Sequence, residues 1–209
     1  MEKRVELLLK NLPKRNIAGI YCPDKFQAAE KMLEIIPASA QVGFSGSQTL
    51  EQLGILKQLE ARGNKLFDTY KQGLSREESL ELRRQGAQAD YYLASANAVA
   101  ETGELVFFSG YGNRTAGVAY AKNVIVVCGA NKIAADLPEA LKRAREYATP
   151  LNVKRLKSWN TACFKDGICR EEICFAPEYM RMCCQVLIIE SEAVAGRFTL
   201  ILVGESLGY

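Results

Sequence analysis

The run Val124-Ile-Val-Val-Cys128 constrains this chain most, because five consecutive apolar residues leave no polar face for a half-solvated strand. Such a segment is buried on both sides, as inner strands of parallel sheets are, and a parallel sheet needs crossover helices to join its strands. The surrounding sequence supplies them. Apolar residues at helical spacing (Val5, Leu8, Leu9, Leu12, closed by Pro13) predict an amphipathic helix over 2–12 rather than a signal peptide. Asp24 opens a second helix carrying Phe26, Ala29, Met32, Leu33 and Ile36. Ser47 is a candidate cap for a short helix, Ser75 with Glu78 forms a capping box for a helix ending near Gly86, and Asp136 with Glu139 starts one expected to stop before Pro150.

Between these helices, strands are expected near 17–21, 41–44, 65–67, 90–94, 124–128, 186–190 and 198–203, all in one mostly parallel sheet flanked by helices on both faces. Residues 99–101 and 104–108 predict a hairpin turning at Thr102-Gly103. The 209 residues fit one α/β domain, with an irregular cysteine-bearing segment at 158–184.

Composition excludes several functions. A net charge of +3, with basic and acidic residues interspersed, predicts neither a nucleic-acid stripe nor a membrane face, and no run is long enough to span a bilayer. A soluble, cytoplasmic protein is expected. Without histidine, Ser-His-Asp and Cys-His catalysis and histidine-ligated metal sites are ruled out, leaving Glu, Asp, Lys, Tyr or Cys for proton transfer. Seven cysteines, an odd number, point to reduced thiols rather than a disulfide scaffold.

In a parallel sheet, ligands sit beyond the carboxyl ends of the strands. The small and polar residues that follow the expected strands are therefore candidates for an anion site: Ser45, Gly46, Ser47 and Thr49; Asn97; Gly112, Asn113 and Arg114; Asn131 and Lys132. Arg114 offers a bidentate fork and Lys132 a point charge for a phosphate or carboxylate. Cys163, Cys169, Cys174 and Cys183 are the metal candidates. None forms a Cys-x-x-Cys knuckle, so the spacing favours free thiols over a bound metal. The residues alone name no cofactor.

The ordered motifs Val42-Gly-Phe-Ser-Gly-Ser-Gln-Thr-Leu50, Ser95-Ala-Asn97, Glu101-Thr-Gly-Glu104, Gly112-Asn-Arg114, Gly129-Ala-Asn-Lys-Ile133, Ala148-Thr-Pro150 with Asn152 and Arg155, and Leu207-Gly-Tyr209 resemble the LUD (lactate utilisation, LutC/YkgG) domain family. The resemblance implies a Rossmann-like sheet related to the NagB/RpiA/CoA-transferase superfamily. It also implies a place in organic-acid utilisation, binding a small anionic metabolite. Two further roles follow from it: a non-catalytic partner of an iron–sulfur oxidoreductase, and acyl transfer with Glu101 as the carboxylate nucleophile. The sequence leaves self-association open.

Overall fold

A computed structural model describes residues 2–157 and 159–209. The N-terminal helix α1 (Glu2–Asn11) leads through a tight turn into β1 (Ala18–Cys22), α2 (Lys25–Ile35), β2 (Gln41–Phe44), α3 (Gln48–Leu53), α4 (Ile55–Ala61) and β3 (Lys65–Phe67). Next come α5 (Arg76–Ala87), β4 (Tyr91–Ala94), β5 (Ala98–Ala100), β6 (Leu105–Ser109), α6 (Asn113–Tyr120), β7 (Asn123–Gly129) and the two-residue β8 (Ile133–Ala134). The chain ends with α7 (Leu137–Lys142), α8 (Thr149–Leu156), β9 (Gln185–Ile189) and β10 (Phe198–Val203). The expected caps form: Asp24, Ser47, Ser75 and Asp136 each accept from a backbone N–H of the following helix, and Ser75 and Glu78 complete a capping box.

Six strands make one sheet in the order β1-β10-β7-β4-β2-β3, every pair parallel. The apolar run of β7 divides by alternation between two cores. Val124, Val126 and Cys128 face a core shared with Leu8, Leu12, Val118 and Phe107, whereas Ile125 and Val127 face one built with Met32, Leu50, Ile55 and Leu59. Helices α2, α3 and α4 cover the second face, and α1 and α6 the first. The fold is thus α/β, a mostly parallel sheet with helices on both faces.

Three expectations are corrected. The strand near 186–190 does not join the parallel sheet: β9 pairs antiparallel with β6 in a second sheet ordered β8-β5-β6-β9, which helps to cover the first face. Its residues begin exposed and become buried only at Ile189, so it lacks the two apolar faces that an inner strand requires. The β5–β6 hairpin turns through three residues, Glu101 to Gly103, not two. Gly103 donates to Ala100 O and Ala100 donates to Glu104 O, the arrangement of a turn followed by a glycine bulge. Finally, the helix opened by Asp136 does not stop before Pro150. A wide π-type turn over 143–148 carries it into α8, and Thr149 Oγ1 donates to Ala144 O at 2.8 Å where the proline has no N–H to offer.

From α8 to β9, no helix or strand occurs among the described residues; position 158 lies outside the description.

Close packing against the sheet is sharpest at Gly43, where a Cβ would lie 1.9 Å from the carbonyl oxygen of Gly86 on α5. Neither backbone can yield without opening the β2–α5 contact. Gly43→Ala is expected to destabilise the fold by about 3 kcal/mol, at the upper end of overpacking costs, read as a lowered urea midpoint; an unchanged midpoint would contradict this packing.

Candidate functional site

The loops that leave β2, β4, β6 and β7 meet at one edge of the parallel sheet and are held there by two cations, the partly buried Arg114 and the buried Lys132. Arg114, on the first turn of α6, donates Nε to Ser45 Oγ (3.2 Å), Nη1 to Phe108 O (2.9 Å) and Asn97 Oδ1 (3.3 Å), and Nη2 to Gly46 O (2.7 Å). One guanidinium thus fixes the ends of β2 and β6 and the loop after β4. Asn97 Oδ1 also accepts from Phe108 N, so the same side chain closes the open end of the hairpin. Lys132 lies behind Arg114 and is 4% exposed. Its Nζ sits 2.8 Å from Ser95 Oγ, 3.0 Å from Thr49 Oγ1 and 3.3 Å from Ala96 O. Ser47 caps α3 beside it.

A third cation, Arg143, enters from the wide turn. It donates Nη1 to Asn97 O (2.7 Å) and Nη2 to Asn131 O (3.0 Å). Asn131 in turn accepts from Leu207 N (3.1 Å) and ties down the segment that carries Gly208 and Tyr209.

In front of these groups lies a cleft of about 290 Å³, walled by Ser45, Gly46, Asn97, Asn113 and Arg114 on the sheet side. Arg83 of α5, Asn152 and Arg155 of α8, and the aromatics Tyr70, Tyr111 and Trp159 complete it. An inner recess of about 40 Å³ shares the walls Gly46, Asn97, Arg114 and Asn152 and adds Ser47, Thr49, Ser95 and Lys132. Among the described residues that line the two, none is an aspartate or glutamate. Arg83 Nε is buried with no hydrogen-bond partner, while its guanidinium stacks 4.7 Å over the Tyr111 ring. Arg155 hydrogen bonds Asn152 Oδ1 at 3.0 Å and lies 3.7 Å from the half-exposed Glu51.

The structure therefore brings together Ser45, Gly46, Ser47, Thr49, Asn97, Asn113, Arg114 and Lys132. Asn131 stands one step away as a strut. Gly112 contributes backbone only: at φ 82° it caps α6 in a conformation that glycine tolerates best, but it does not line the cleft.

Glu101 does not join the group. It lies at the turn of the hairpin, the end opposite Asn97 and Phe108, where its carboxylate pairs with Arg4 and its carbonyl accepts from Asn11 of the N-terminal helix. The expectation that it shares the cleft is corrected. The sequence places Glu101 just after a strand, but that strand, β5, runs antiparallel to β6, so its carboxyl end points away from the cleft that the end of β6 reaches.

Local sequence does not single out Arg83, Arg143 or the aromatic walls as site residues, and it holds Asn152 and Arg155 only within the family motif. Asn152 and Arg155 stand three apart on one helical face beside Pro150, and that spacing was the available signal; nothing local marks Arg83.

Cys163, Cys169, Cys174 and Cys183 line one small cavity together with Arg145, Arg170 and Arg181. Among the described residues, no three Cys, Asp or Glu side chains are arranged to hold a metal ion. All seven cysteines are free thiols, and Cys22 and Cys128 are core residues. Burial raises the pKa values of Cys163 and Cys169.

Fold and cleft define the class: a parallel-sheet α/β protein with a cationic cleft, free of acidic side chains, at the carboxyl ends of its strands. The family model for the LUD domain matches residues 5–203, and the chain belongs to that family. Among solved structures, it is similar to a DUF162 family protein from Deinococcus radiodurans, with a TM-score of 0.55 and 10% identity over 97% of this chain and 98% of that one. It is also similar, over 54% of each chain, to ribose 5 phosphate isomerase A from Neisseria gonorrhoeae, with 20% identity and a TM-score of 0.36. Comparison with curated proteins gives no match. Among the described residues, no helix is long and apolar enough to cross a membrane.

Both cations can be tested by substitution. Arg114→Lys is expected to destabilise the protein by about 1–3 kcal/mol, because a point charge cannot serve four acceptors spread around a planar fork and leaves part-buried carbonyls unpaired. Urea denaturation measures it, and a loss below about 0.5 kcal/mol, the range of ordinary surface changes, would show that the fork is dispensable.

For Lys132, desolvation, reinforced by Arg143 and Arg114, lowers the amine pKa to about 8. An unfolded lysine titrates at about 10.4, so between those values the unfolded chain binds more protons and stability attributable to Lys132 rises with pH. Below about pH 8 the cost of burying the charge is felt in full. The stability of Lys132→Met relative to wild type should therefore be greatest below pH 8 and decline toward about pH 10.4; parallel pH profiles would overturn this.

Proposed function

We propose that this LUD-domain protein binds a small anionic metabolite in the cleft and serves organic-acid, specifically lactate, utilisation. The supporting observation is a wall containing Arg83, Arg114, Arg155 and Lys132 and, among the described residues, no aspartate or glutamate. Positive charge gathered in a partly desolvated concavity, offset only where Arg155 pairs with Glu51 at the rim, costs free energy that an anion recovers on binding. Arg114 spends its donors on the protein and positions the loops. Arg83, with Nε unpartnered, and Arg155, at the rim, remain to meet the ligand, while Asn152 and Asn113 supply neutral polar groups. Acyl transfer through Glu101 finds no support here, because the carboxylate nucleophile is outside the cleft.

A second reading, docking onto an iron–sulfur oxidoreductase, is favoured by a different observation. Phe175, Met180 and Val186 are exposed and line one groove beside the cysteine-bearing segment, with Ile168 and Ile173 also exposed in that segment. Apolar surface concentrated in this way suits a protein partner. The two readings use different surfaces and are compatible.

Isothermal titration at low ionic strength tests the first. Lactate, pyruvate and phosphate, compared with neutral glycerol, should show binding of anions only. Arg155→Gln and Arg83→Gln should each weaken it about tenfold or more, the worth of one charge-assisted hydrogen bond, whereas Glu101→Gln should leave it unchanged. Equal binding of glycerol, or variants that bind like wild type, would refute the assignment.

A further inference from the structure

Lys132 has an environment that structural lysines avoid. Buried lysines are ordinarily paired with an acid. Among the described residues Lys132 has no such partner, and its Nζ is surrounded by two hydroxyls and one carbonyl oxygen. The cations Arg114 and Arg143 add to the cost of a positive charge there, as the depressed pKa reflects.

The partners themselves suit an amine that changes state. Thr49 and Ser95 hydroxyls can accept from an ammonium while donating to Leu207 O and Ala96 O, or rotate to donate to a free amine, so either protonation state is satisfied by turning a hydroxyl; a carboxylate partner would serve only the charged one. Lys132 also lines the inner recess, which shares Gly46, Asn97, Arg114 and Asn152 with the cationic cleft. A ligand whose anionic group lies among the arginines would thus present its neighbouring atoms to a partly unprotonated amine, the arrangement that makes lysine a nucleophile toward carbonyl carbon.

We propose that Lys132 forms an imine with a short anionic carbonyl compound, a carboxylate or a phosphate ester whose C=O lies within a few bonds of its negative group. This rests on the cleft being an anion site, and it specifies the ligand class and the reacting atom. The Nζ lone pair attacks the carbonyl carbon, and one amine proton passes to the carbonyl oxygen to give a carbinolamine. That oxygen takes a second proton and leaves as water while the nitrogen lone pair forms C=N. The sum is amine plus carbonyl giving imine plus water, with no change of oxidation state. The hydroxyls of Ser95 and Thr49, within hydrogen-bond distance of Nζ, carry the protons. A recess of only about 40 Å³ limits the reacting end to a few atoms.

The test is reductive trapping of the full chain with sodium cyanoborohydride in the presence of pyruvate, dihydroxyacetone phosphate or neutral acetone, followed by intact mass measurement and peptide mapping. The expected result is one dominant adduct per chain, mapped to Lys132, with pyruvate or dihydroxyacetone phosphate but not with acetone. Which of the two labels faster separates a carboxylate from a phosphate ligand. Trapping should be suppressed by excess inorganic phosphate and lost in Lys132→Met. Should that variant fail to fold, the mapped position in the wild-type chain decides alone. Adducts spread over surface lysines, or equal labelling by acetone, would overturn the proposal. If titration shows that anions bind while Lys132 stays unlabelled, imine formation fails and the binding site stands; if no anion binds, the binding site fails first.

Discussion

A guanidinium with no carboxylate beside it holds this protein's cleft in shape. Arg114 joins the ends of two strands and the loop after a third through oxygens of Ser45, Gly46, Asn97 and Phe108. These acceptors are neutral, so the positive charge is solvated by dipoles rather than cancelled. The same holds for Lys132 deeper in and for Arg143, whose hydrogen bonds go to backbone carbonyls. Loops that must converge on a ligand need something to hold them without filling the space. Cations bound to backbone oxygen do this and leave a positive field in the gap.

The scaffold makes such convergence possible. Parallel strands deliver their carboxyl ends to one edge, and β2, β4 and β7, adjacent in the sheet though far apart in sequence, place residues 45, 97 and 132 within reach of one another. The second sheet adds β6 and, with it, the Phe108 carbonyl that Arg114 requires. The wide turn before Pro150 then lets Arg143 tie Asn97 O to Asn131 O and carries the chain into α8, whose Asn152 walls the cleft.

Concentrating charge in the cleft leaves apolar contacts for the other surfaces. The segment from 159 to 184 has no helix or strand and packs instead through Trp159, Cys163 and Met182 against Val153. Cys183 borders both the main cleft and the small cysteine-lined cavity, so chemistry at those thiols and occupancy of the cleft share a wall.

The sequence by itself determined the α/β class, the helix caps, the central strand and most of the strand-end residues that gather at the site. These are local facts: caps are set by residues three apart, and a doubly apolar run has one place in a sheet. Only the tertiary structure decided that β9 leaves the main sheet, that Glu101 faces Arg4 at the far end of its hairpin, and that Arg83 and Arg155 complete the cleft. Each of these depends on which surfaces meet across long stretches of chain. Periodicity shows which face of an element is buried but not which partner covers it, and a carboxylate after a strand is a site residue only when that strand ends at the right edge.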